Sequence, residues 1–122
     1  DTDRSRGLGD VYKRQIREYT ERFYPIDFTL DEIRPDYDFV ETCQGSVPQA
    51  LEAFFESTGF EDAIRNAVSI GGDSDTIADM AGAIAEAYYG ADPEMKNIAL
   101  SYLDQDLLDI AEEFERRIIL KV

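Results

Sequence analysis

The chain has 122 residues, 43% hydrophobic and 11% aromatic, which suits one domain or part of one with a buried core. Its 12 basic and 27 acidic side chains leave a net charge of −15, so repulsion opposes binding to nucleic acid or to anionic membrane surfaces. Histidine is absent, which removes His-based zinc sites and Ser-His-Asp triads, and no apolar run reaches the about 18 residues of a membrane span.

The first fifteen residues, DTDRSRGLGDVYKRQ, differ from the rest. They carry four basic and three acidic side chains, whereas the remaining 107 carry eight and 24. They resemble translated sequencing-adapter read-through, so residues 1–15 are expected to be a non-native leader, the alternative being a basic arm. The fold is expected to occupy residues 16–122. No signal-peptide pattern opens the chain, and the lone Cys43 fits a reducing, cytoplasmic location.

From Ile16 the pattern is helical. Ile16, Tyr19 and Phe23 share one face, and the helix is expected to stop before Pro25. Residues 25–45 hold two prolines and no clean period, which predicts a long connection with one turn at Leu30 to Arg34. SVPQALEAFFESTG predicts a helix capped by Ser46 in an S-x-x-Q box and stopped by a left-handed Gly59. FEDAIRNAVSIGG predicts a helix with Ala63, Ile64, Ala67 and Val68 inward, closed by Gly71 and Gly72. DSDTIADMAGAIAEAYYG is the next, with Ile77, Met80, Ala81, Ile84 and Tyr88 in the core. Ala78, Ala81, Gly82 and Ala85 form a small-residue flank for close packing. Asp92 caps a helix with Pro93 in its first turn. The last helix carries Leu107, Leu108, Ile110, Ala111, Phe114 and Ile118 as its apolar stripe. The fold class is all-α, an orthogonal bundle of five or six helices.

The turn SIGGDSDTIADM crowds carboxylates at a helix start. Asp73 and Asp75 are two apart, so both can converge on one point beyond the helix end, and Thr76 adds a neutral oxygen. Three hard oxygen donors suit Mg2+, Mn2+ or Ca2+ rather than zinc. The alternative is a plain N-cap, with Asp73 or Ser74 accepting from backbone amides. An EF-hand is excluded because TIADM follows where a glycine and a distal glutamate belong. The remaining polar candidates carry less: Cys43 is expected to be a small buried hydrophobe, and Tyr88 and Tyr89 packing residues.

SIGGDSDTIADMAGAIAEAYYG closely resembles the C-terminal metal motif of the ADP-ribosylglycohydrolase family, and CQGSVPQALEAFFES and FEDAIRNAVSI are similar to the segments before it there. The resemblance implies a helical fold with a binuclear Mg2+ or Mn2+ centre that hydrolyses the glycosidic bond between ADP-ribose and a side chain or small acceptor. It implies that Asp73, Asp75 and Thr76 are metal ligands, with Asp75 bridging, and that Gln44 and Ser46 lie near substrate. Asp79 departs from the family pattern, as a solvated residue or an acid behind the ligands. The family's N-terminal T-D-D motif, its glutamate and its phosphate loop have no counterpart here. The expectation is therefore a C-terminal portion with half a metal site, inactive alone and prone to self-association through an uncovered face. The alternative is a non-catalytic acidic helical module for metal binding or interaction.

Overall fold

The computed structural model describes residues 2–119. Among them run seven α-helices: α1 Thr2–Thr20, α2 Leu30–Ile33, α3 Cys43–Phe55, α4 Phe60–Ser69, α5 Ser74–Tyr89, α6 Pro93–Ser101 and α7 Gln105–Phe114. A π-helical turn, Glu115–Ile119, extends α7. No strand occurs among the described residues, so the all-α class holds. The chain divides into two compact units, one up to Gly90 and one from Ala91.

In the first unit α5 packs against both α3 and α4. Alanines make this possible. Ala50, Ala53, Ala63, Ala67, Ala81 and Ala85 are each buried, and their short side chains let three helix backbones approach closely. Leu30, Ile70 and Ile77 fill one cluster; Phe54 fills a second, with Tyr88 edge-on at 5.3 Å. Gly82 is not needed for this closeness. A Cβ there would lie 3.6 Å from the Ile64 side chain, an ordinary contact. Gly82→Ala is therefore expected to stabilise the unit by about 1 kcal/mol in chemical denaturation, through helix propensity and a stiffer unfolded chain.

Several local expectations are corrected. The cap of α3 is Thr42, whose hydroxyl accepts from the Gly45 amide, not Ser46. Pro48 thus sits inside the helix, where its missing amide leaves the Gln44 carbonyl without the usual i→i−4 donor. Gly59 is not left-handed: its φ of −177° is extended, and it precedes α4 rather than ending α3. Cys43 is exposed because it opens α3 on the solvent side. Val68 is half exposed, and Tyr19 and Phe23 lie exposed at the surface, their rings tilted against each other at 5.5 Å. Helix α1 runs unbroken through Gln15, with Lys13 donating to the Ser57 carbonyl.

The second unit starts with Asp92 accepting from the Glu94 amide, and Asp104 caps α7 through the Leu107 amide. Lys96 pairs with Glu115, and both Arg116 and Arg117 pair with Glu113. The expected apolar stripe of α7 is present as a pattern, yet Leu107, Ile110, Phe114 and Ile118 are exposed, as are Ile98 and Tyr102 of this unit.

Candidate metal centre

The turn between α4 and α5 is built by two glycines in the left-handed region, Gly71 at φ 79° and Gly72 at φ 66°. Gly71 needs only the conformation, since a Cβ there would meet open space. Gly72 needs the room as well, because the ring of Tyr37 lies against it. The chain then reaches Asp73 in the N-cap position of α5. Thr29, Thr42, Asp92 and Asp104 all accept a capping bond from their own helix; Asp73 accepts none. Its carboxyl is thus spared from the ordinary duty of its position, and the plain-cap alternative loses its main bond. Asp75 takes the helix-end role instead, its Oδ1 accepting from the Thr76 amide at 2.9 Å.

The two carboxyls converge. Asp73 is raised above the usual carboxylate range, first by a hydrogen bond shared with Asp75, then by burial, with the charges of Asp75 and Glu41 adding and the Thr76 hydroxyl opposing. Asp75 is lowered, first by the bond from Asp73 and then by the Thr76 amide. A divalent cation would relieve the repulsion between the two carboxylates by balancing both with one charge centre. The donor set is all oxygen and hard, which fits Mg2+ or Mn2+. Among the described residues no group of three or more His, Cys, Asp or Glu side chains gathers into a metal site. The turn offers two carboxylates and one hydroxyl at the start of α5.

Asp73 stands at the N-cap of α5, with Asp75 and Thr76 in its first turn. Gln44 and Ser46 both lie in the first turn of α3; Gln44 is exposed, while Ser46 is 7% exposed and its hydroxyl donates to the Thr42 carbonyl at 2.7 Å. Asp79 is exposed on α5. Tyr88 and Tyr89 pack around Phe54, and the Tyr89 hydroxyl donates to the Ser57 carbonyl. An apolar groove lined by Ile16, Phe54, Ala83, Ile84, Ala87 and Tyr88 lies farther along α5, about 12 Å or more from Asp75 by helical rise, and carries no acid. Sequence reading missed Tyr37, which lies in a stretch without period. Burial, then the charge of Asp73, raises its phenol above the usual range. Glu52 was missed too: it falls on the buried face of α3, where an acid is not expected.

The fold and the turn define an all-helical protein that presents paired carboxyls at the start of a small-residue helix. The sequence model of the ADP-ribosylglycohydrolases matches residues 3–120, and the chain belongs to that family. Human ADP-ribosylhydrolase ARH3 is 36% identical over 94 residues, 62% of this chain and 26% of that protein. The ARH3 of Danio rerio is 44% identical over 61 residues, 49% of this chain and 15% of that protein. The chain thus spans about a quarter or less of the length of these relatives. No solved structure matches significantly.

Proposed function

We propose that this chain contributes the C-terminal part of a metal-dependent hydrolase that releases ADP-ribose from modified side chains or small acceptors by cleaving the glycosidic bond. The observation that carries the reading is the placement of Asp73, Asp75 and Thr76 at the start of α5, directly after two left-handed glycines, in a chain of this family. Bound Mg2+ or Mn2+ would polarise substrate oxygens and water at that point. Asp73 and Asp75 would hold it with charge, and Thr76 with a neutral oxygen. The two glycines keep side chains away from the approach to these oxygens. Because the turn supplies only two carboxyls, the chain alone is expected to be inactive. The exposed apolar residues of α6 and α7 favour contact with a further segment or chain, whereas the net charge of −15 opposes contact with a second copy.

The test is complementation. Mixed with the N-terminal portion of a family member, the chain should restore ADP-ribose release from a modified substrate in the presence of Mg2+ or Mn2+. A folded complex that releases no ADP-ribose with either ion would refute the reading.

A further inference from the structure

We propose that Tyr37 is a positioning residue for the cation ligands: it spans from the start of α3 to the glycine turn and sets where Asp73, Asp75 and Thr76 stand. The inference rests on reading those three as ligands. Three contacts carry it. The Tyr37 hydroxyl donates to the Gly45 carbonyl, in the first turn of α3, at 2.6 Å. Its ring meets Gly72 so closely that a Cβ there would lie 2.5 Å from Cε1 and 3.0 Å from Cδ1. Its own amide donates to the Ile33 carbonyl at 2.8 Å, which fixes the base of the residue just after α2. The next residue adds to the same contact, with the Asp38 carbonyl 3.1 Å from the Gly72 Cβ position. On the far side, a Cβ on Gly45 would clash with Val40 and crowd the Thr42 hydroxyl. Residues 37–42 therefore fill the space between two helix starts, and each start offers a glycine where the segment presses on it.

The turn has little of its own to hold it. Gly71 faces open space, Asp73 makes no capping bond, and two successive glycines carry the largest conformational freedom of any residue type. The ring of Tyr37 abuts the residue immediately before Asp73. A rigid aromatic anchored at both ends is what turns a flexible pair of glycines into a defined platform. Gly72 thereby has a second reason to be glycine, beyond its backbone conformation.

The experiment compares Tyr37→Leu and Tyr37→Phe in the full chain, by amide hydrogen exchange and by Mn2+ binding read from the resonance of the free ion. In Tyr37→Leu, the amides from Gly72 to Thr76 should exchange about tenfold faster or more, while those of Ala81 and Ala85 in the middle of α5 keep their wild-type rates. Mn2+ binding should weaken about fivefold or more in the same variant. Tyr37→Phe keeps the ring but loses the hydroxyl's bond to Gly45, so in both readouts it should fall between wild type and Tyr37→Leu. Turn exchange that is unchanged in Tyr37→Leu would overturn the proposal. So would equal acceleration of the turn and the centre of α5, or failure of that variant to fold, since each makes Tyr37 a residue of general stability. A wild-type chain that binds no Mn2+ counts against the ligand reading, and the exchange rates then judge Tyr37 separately.

Discussion

Asp75→Asn is expected to lower ADP-ribose release by the complemented domain about a hundredfold or more, at or beyond the upper end of what loss of a mere outer partner of a metal site costs. Asparagine keeps the shape of the side chain and one oxygen but removes the charge that a hard cation needs. The fold should barely change. Asp75 is exposed, and its favourable interaction with the helix dipole is partly offset by repulsion from Asp73. The two readings of the turn therefore separate cleanly. A ligand loses activity and Mn2+ binding while thermal unfolding stays put. A cap loses stability and leaves release intact. Asp79→Asn is the control: Asp79 is exposed on α5, and release should not change.

A second large effect is expected from pH, and it comes from Glu52. This side chain is 3% exposed on α3, and its Oε1 accepts from the Arg17 guanidinium at 2.7 Å. Glu56, one turn on, shares a hydrogen bond with it and accepts from the Leu30 amide at 2.9 Å. Burial, followed by that bond to Glu56, pushes Glu52 from 4.5 to about 7 against the opposing pull of Arg17. The folded chain therefore holds a proton that the unfolded chain has released. Stability from this group is full below its unfolded value of 4.5 and is lost as pH rises through about 7. The loss is on the order of 3 kcal/mol. Glu52→Gln should remove it. The amide oxygen can still accept from Arg17, and the amide nitrogen can donate to Glu56, as the protonated acid does. Urea denaturation should find the two proteins alike near pH 4 and the variant more stable at pH 8 by about 2–3 kcal/mol. General repulsion among the acids also grows with pH, but both proteins share it, so the difference isolates Glu52. A gap that does not widen with pH would show that Arg17 keeps Glu52 ionised.

What could be read from the chain follows the range of the forces involved. Helix class, the Asp92 cap, the stop at Gly90 and the core positions Ile77 and Ala81 depend on residues within a turn or two of one another, and each is visible as a spacing. The acidic turn belongs here too: Asp73, Asp75 and Thr76 fall at a helix start by spacing alone. The start of α3 lay at the edge of this range. Ser46 and Gln49 make a good capping box on paper, but Thr42 caps instead and buries Ser46, since Pro48 is tolerated inside the helix.

The rest was decided by contacts that no local pattern encodes. Glu52 is buried beside Arg17, 35 residues away, and its raised pKa comes from that burial and from Glu56, against the pull of Arg17. Val68, Tyr19 and Phe23 are apolar by composition and exposed by circumstance, because burial needs a partner surface as well as a hydrophobic side chain. Tyr37 sits in an irregular stretch with nothing to mark it until the fold lays its ring on Gly72 and its hydroxyl on Gly45. By itself, the sequence determined which residues stand at the start of α5. Only the tertiary structure decided what holds that point still, because a loop's path is set by the surfaces it crosses and not by its own period.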